Sequence, residues 1–189
     1  MLKPERNDFI VGNWLLTKLL DFDRVKKEFD CGKKDLNDYF WNDAFAHREE
    51  LLSETYFLKE ATVEDDFPVA LISLANDTVR REKIWDFLGL AESKKYPNYP
   101  AVKITRAGVL KPFQSKDIGS HMLNMIKRVF VTNNRTGCRL ITVDSYNEER
   151  VLKFYKRNEF QFFSDKDKNK KQRSMFYDLK RLSNTSILA

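Results

Sequence analysis

The sequence predicts a single α/β domain with a mixed, largely antiparallel sheet flanked by helices. Three observations point there. Two strand-like runs, residues 55–61 and 67–77, are separated by the acidic turn "VEDD" and read as an antiparallel hairpin. Residues 101–146 then follow the order strand, turn, helix, strand, which is a crossover pattern. Finally, "FQFFSD" and "SMFYDLKRL" read as two closing strands around the polar connection "KDKNKKQR".

Each further element has its own local reason. In "KKDLNDYFWNDAFAHREELL", residues 33–52, Leu36, Tyr39, Phe40 and Ala44 recur at three- and four-residue spacing, which predicts one helix with a buried face. "FDCG" just before it is the turn that leads in. Residues 78–100 mix charges, Trp85 and "YPNYP", whose prolines disfavour regular structure, so they read as an insertion over one end of the sheet. The run "AVKITRAGVL" resumes strand character, with Gly108 permitting a bulge or a close approach of backbone or ligand. Beyond it, Ile118, Met122, Ile126, Val129, Phe130 and Asn133 keep the helical period. "CRLITVDSY" is β-branched and apolar, hence a buried strand. In "NEERVLKFYKRN", Asn147 is placed as N-cap, Glu148 and Glu149 suit the positive first turn, and Lys156 and Arg157 suit the negative last turn. The tail "SNTSILA" is expected to fray.

Composition sets the outer limits. A chain of 189 residues suits one domain, 1–189, and its 42% hydrophobic and 33% charged content is that of a globular protein rather than a disordered one. Fifteen Phe predict an aromatic-rich core. No run of about twenty apolar residues occurs and "MLKPERNDF" lacks the apolar segment of a secretory signal, so the expected location is the cytoplasm, away from membranes. There Cys31 and Cys138 are expected as free thiols. With only His47 and His121 as histidines, no metal-ligand spacing is present, and both read as surface or packing residues of their helices rather than catalysts. A net charge of +6 favours anionic partners without choosing among nucleic acid, a phosphorylated cofactor and an acidic protein.

The segment "KPFQSKDIGSHM" joins a strand to a helix, where backbone N–H groups lack helical partners and the helix dipole is positive. Gln114, Ser115, Lys116, Asp117, Ile118, Gly119 and Ser120 therefore occupy the place of an anion cradle. At these residues the sequence resembles the GNAT acyltransferase superfamily, whose pyrophosphate loop follows Gln/Arg-x-x-Gly-x-Gly/Ala. Gln114 and Gly119 match, and Asp117 replaces the first glycine. The resemblance extends through "FDCGKKDLNDYF", "TRAGVLKPFQSKDIG" and "VDSYNEERVLKFYKRNEF", and its front element is similar to acetyltransferase toxins of toxin–antitoxin pairs.

That resemblance implies a twisted sheet with the cofactor cleft between the family's fourth and fifth strands, and acetyl-CoA as acyl donor. It implies diphosphate contacts from the loop, contacts to the cofactor's amide arm from the backbone near Val109 and Leu110, and one from Asn147. Lys111 and Lys116 are expected to offset the Asp117 charge. Tyr155, which spacing alone reads as a core aromatic beside Phe154, takes the role of acid for the departing thiolate. Where the family ends this helix with Gly-Phe the chain has Glu159-Phe160, so Asn158 is expected to supply the left-handed cap. The acceptor is a primary amine: aminoacyl-tRNA, protein lysine and a small amine all stand open, and a toxin would also have an antitoxin partner. Arg80, Arg81, Lys83 and "KDKNKKQR" are either solvated loops or contacts to an anionic acceptor. Two other readings remain, an inactive GNAT-like binding module and a basic RNA-binding domain, and the oligomeric state is left open.

Overall fold

The computed structural model describes residues 8–63, 67–89, 96–132 and 136–183. Its eight strands are β1 Phe9–Val11, β2 Trp14–Lys18, β3 Glu54–Glu60, β4 Ala70–Arg80, β5 Asn98–Val109, β6 Leu140–Tyr146, β7 Gln161–Phe162 and β8 Gln172–Asp178. They form one sheet in the order β1-β2-β3-β4-β5-β6-β8-β7. Neighbours β1–β2, β2–β3, β3–β4, β6–β8 and β7–β8 are antiparallel, whereas β5 and β6 are parallel from Ala101↔Leu140 to Ile104↔Val143. A parallel pair needs a crossover, and helix α5, Ile118–Thr132, supplies it. The predicted mixed, largely antiparallel sheet is the one observed.

Two compact units make up the chain, residues 1–75 with 105–126 and residues 76–104 with 127–189. The first holds the N-terminal hairpin β1–β2, helix α1 Phe22–Glu28, and the region predicted as one helix over 33–52. That region is α2 Lys34–Asp38, a π turn over Tyr39–Asp43, and α3 Ala44–Glu49. The wide turn closes with the Ala44 N–H on the Tyr39 carbonyl, while the Trp41 indole donates to the Phe29 carbonyl at 2.8 Å. Leu36, Tyr39, Phe40 and Ala44 are all buried, as the spacing predicts, but the helix ends before Leu51, which is 92% exposed. The β1–β2 hairpin and α1 have weak sequence signals and went unpredicted.

In the second unit one core packs Val79, Ile84, Leu88, Tyr99, Ala101, Leu140 and Phe176, with Phe163 against it. Residues 78–100 are more regular than predicted. Strand β4 runs to Arg80, a short 3₁₀ turn and helix α4 Trp85–Leu88 follow, and β5 begins at Asn98, so that Pro100 lies inside a strand. Pro100 lacks an N–H but keeps its carbonyl, which accepts the Arg139 N–H at 2.9 Å. Residues 90–95, Asn133, which the helical period is expected to include, most of "VEDD" and most of the tail lie outside the described residues. Among the described residues, no helix is long and apolar enough to cross a membrane.

Candidate functional site

In the first unit, β5 ends at Val109, and a 3₁₀ turn over Lys111–Phe113 carries the chain into the loop before α5. The strand end is held locally: the Leu110 N–H donates to the Val69 carbonyl and the Lys111 N–H to the Asp30 carbonyl, each at 3.0 Å. Ser115 and Asp117 both have left-handed backbones, with φ of 61° and 56°. Asp117 thus adopts the conformation that glycine would supply at its place, at a cost a short polar residue tolerates better than most. Its carbonyl accepts the His121 N–H at 3.0 Å, so the helix starts at once with Ile118, and no acidic residue sits in the first turn. Ser115, Lys116 and Asp117 are exposed, Gly119 and Ser120 half-buried, and Ile118 buried.

Gln114 ties this loop down. Its Nε2 donates to the Cys31 carbonyl at 2.8 Å and to the Val109 carbonyl at 2.9 Å, so both amide hydrogens are used and the end of β5 is pinned to the "FDCG" turn. That turn is itself braced by Asn37, whose Oδ1 accepts the Cys31 N–H and thiol, while its Nδ2 donates to Asp30. The close approach expected at Gly108 comes from the protein: a Cβ there would lie 3.2 Å from the Cys31 Cβ and Sγ. The Lys111 ammonium bonds the Asp30 carboxylate at 2.6 Å. This bond, then that from Asn37, holds the Asp30 carboxyl down at about 2. Lys111 is therefore engaged with Asp30, and Lys116 lies 5.4 Å from the Phe113 ring centroid. The two histidines pack on aromatic rings, His121 stacked with Trp14 and His47 edge-on to Tyr39.

The other two sequence-predicted site residues belong to the second unit. Asn147 is not the N-cap of α6, Glu149–Arg157; Glu148 holds that position. The Asn147 amide instead donates at 2.8 Å to the carbonyls of both Lys168 and Lys170, clamping the "KDKNKKQR" segment. Arg173 braces the same segment through Asp167 at 2.7 Å, and its guanidinium lies over the Phe162 ring at 3.9 Å. Both N–H bonds of the Asn147 amide are committed, which leaves its Oδ1 and backbone for other contacts.

Tyr155 sits on α6, 6% exposed, in edge contact with Phe154 and Phe160. Its hydroxyl makes no hydrogen bond among the described residues. Burial pushes the phenol well above its ordinary value, with Tyr146 adding to the effect, so the group holds its proton. The helix ends in a Schellman turn, in which the Phe160 N–H bonds the Tyr155 carbonyl at 3.0 Å and the Glu159 N–H the Lys156 carbonyl at 2.9 Å. Glu159 supplies the left-handed residue (φ 64°), whereas Asn158, expected there, has φ −90°. The cap falls at C′, one residue later than expected, because that is where the 6→1 bond closes.

Sequence reasoning missed Lys127. Only 3% exposed on α5, it bonds the Asn158 carbonyl at 2.8 Å and lies 3.9 Å from the Tyr177 ring centroid. Its signal was available, since it falls four residues after the buried Leu123 on the apolar face, but a lysine there reads as a surface residue.

By sequence, neither a family model nor a curated protein matches the chain. By structure, it is similar to a Tyr-to-Phe mutant of KacT, with TM-score 0.70 and 19% identity over 93% of this chain and 100% of that one. It is similar to a mutant AtaT toxin bound to the C-terminus of the antitoxin AtaR and acetyl-CoA, with TM-score 0.66 and 18% identity over 92% and 98%. A third similar structure is AtaT complexed with acetyl-methionyl-tRNAfMet, with TM-score 0.66 and 18% identity over 91% and 98%. At such identities the likeness is one of fold. The chain has the GNAT fold that its sequence predicts, shared with the KacT and AtaT structures over more than nine-tenths of its length.

Proposed function

We propose that this chain is an N-acetyltransferase that moves an acetyl group from acetyl-CoA to a primary amine. The observation that carries the reading is the loop before α5, where left-handed residues two apart, Ser115 and Asp117, lead directly into a helix N-terminus. Alternating left-handed residues turn successive N–H groups toward one point, and the helix dipole adds positive potential there. Such a cradle fits a diphosphate and uses main chain from Ser115 to Ser120 rather than charged side chains.

Acetyl-CoA supplies an activated thioester, so the protein's tasks are to orient it and to manage one proton. Gln114 fixes the end of β5 through the Val109 carbonyl, and with the Leu110 N–H bonded to Val69 and its carbonyl to Phe113, the Val109 backbone is the one we assign to the cofactor's amide arm. Tyr155 offers a hydroxyl that the burial of its surroundings holds protonated, a suitable donor to a thiolate as it departs. Asn147 contributes through its Oδ1 or backbone, its amide hydrogens being held by Lys168 and Lys170.

For the acceptor we favour the amino group of an aminoacyl-tRNA. The support is the fold shared with AtaT, which has been seen with acetyl-methionyl-tRNAfMet, together with a net charge of +6 and the exposed lysines 166, 168, 170 and 171 on a braced loop. An antitoxin protein is the matching expectation for a partner, as AtaR is for AtaT.

Calorimetric titration with acetyl-CoA, followed by turnover with aminoacyl-tRNAs, lysine peptides and polyamines, tests the proposal. Saturable binding in wild type and in Tyr155→Phe, with turnover largely but not wholly lost only in the variant, is the expected pattern. A chain that binds no acetyl-CoA sinks it.

A further inference from the structure

Lys127 is a buried cation that the chemistry above does not use. Its surroundings are specific: the Asn158 carbonyl at 2.8 Å, the Tyr177 ring at 3.9 Å and the Phe160 ring at 5.7 Å. The charged groups that act on it are Glu159, which favours its charge, and Arg181, which opposes it. Arg181 in turn bonds the Glu159 carboxylate at 3.1 Å, so the end of α6 is held by cations from α5 and from α7, Lys180–Ser183.

Phe160 touches Tyr155 directly, and the other two contacts reach it through one neighbour, Asn158 through Phe154 and Tyr177 through Phe160. Asn158 closes α6 by bonding the Phe154 carbonyl through both its backbone N–H, at 3.2 Å, and its side chain, at 2.9 Å. Phe160 bonds the Tyr155 carbonyl through its N–H and packs its ring edge-on to the Tyr155 ring, with centroids 5.3 Å apart. Phe160 also meets the Tyr177 ring at 5.8 Å, the ring over which the Lys127 ammonium lies. A lysine rarely stays fully buried unless its charge is matched by acceptors and ring faces, and among the described residues its acceptor, the Asn158 carbonyl, belongs to the turn that ends the helix bearing Tyr155.

We propose that Lys127 is a positioning residue for Tyr155: clamped between the Asn158 carbonyl and the Tyr177 ring, its ammonium sets the turn and the Phe160 ring against which the Tyr155 side chain is aimed. The part played by Tyr155 rests on the acetyltransferase reading; the mechanical link from Lys127 to Tyr155 does not. The role belongs to the cation and its donor bonds, so Lys127→Met, similar in length but without either, removes it, and Lys127→Arg restores the charge.

Two measurements test it. The first needs no cofactor: with ¹³Cζ-labelled tyrosine, the Tyr155 resonance, identified by its loss in Tyr155→Phe, is compared across wild type, Lys127→Arg and Lys127→Met. It should shift or broaden in Lys127→Met and return toward the wild-type position in Lys127→Arg. An unmoved Tyr155 signal in a folded Lys127→Met protein overturns the proposal. If that variant does not fold, Lys127→Gln takes its place under the same criteria.

The second is kinetic. Lys127→Met should lower kcat about tenfold or more, as small misplacements of catalytic groups do, with KM for acetyl-CoA within about twofold of wild type. In a Tyr155→Phe background it should lower kcat no further, because the two changes act through one group. Equal losses in both backgrounds overturn the proposal and leave a merely structural lysine. If Tyr155→Phe itself leaves turnover intact, it is the catalytic reading that fails, and the resonance experiment still judges the link.

Discussion

Removing the Lys127 charge without removing the residue is a matter of pH, and the structure sets both sign and size. Burial holds the Lys127 ammonium down at about 8, against an ordinary value of 10.5. An unfolded chain therefore keeps this proton up to about 10.5, while the folded chain gives it up near 8. Between those values the unfolded state binds more protons, so stability rises with pH. The contribution is fully present above about 10.5 and lost as pH falls through about 8. Each unit is worth about 1.4 kcal/mol once the folded-state lysine has lost its proton, and it is half deprotonated at pH 8, so from pH 8 to pH 9.5 wild type should gain about 1.5 kcal/mol over Lys127→Met. Subtracting the Met variant cancels the other titrating groups, among them Cys138, whose thiol burial raises to about 11 and which pushes the opposite way. Urea melts of both proteins at pH 7, 8, 9 and 9.5 give the difference directly. A difference that stays flat, or that moves against wild type, would mean that Lys127 is solvated in solution, and the buried clamp at the end of α6 would fall with it.

Two further outcomes follow from the backbone. Asp117→Gly keeps the left-handed angle, removes a carboxylate from the loop and should tighten acetyl-CoA binding, about tenfold for a charge assumed to act over roughly 6 Å at an effective dielectric constant of about 40, as read by calorimetry; equal or weaker affinity would show that the carboxylate is no burden. Glu159→Gly relieves a left-handed residue worth about 1 kcal/mol and gives up an exposed ion pair with Arg181 worth a few tenths, so it should raise stability by about 0.5 to 1 kcal/mol in a denaturant melt, and a lower midpoint would contradict the Schellman geometry.

What the sequence determined by itself was whatever depends on near neighbours. The β3–β4 hairpin, the apolar period of α5 and the polar connection before β8 are local patterns, and the structure has all three. The turn from 114 to 120 was legible for the same reason, because a strand end, a short polar stretch and a helix start lie side by side in the chain. The order of these elements also sufficed to suggest the GNAT fold.

Tertiary structure decided what depends on residues far apart in sequence. Asn147 looks like a helix cap beside two glutamates, yet its amide is claimed by carbonyls more than twenty residues away. Gly108 looks like room for a ligand, and the Cys31 side chain takes that space. Lys111 looks free to offset Asp117, and Asp30, 81 residues earlier, has it. Lys127 looks solvated, and a carbonyl 31 residues on, with the ring of Tyr177, draws it into the interior. In each case the side chain had one partner set available locally and another across the fold. Burial strengthened the distant bonds by excluding the water that competes for them, so the fold chose the partner.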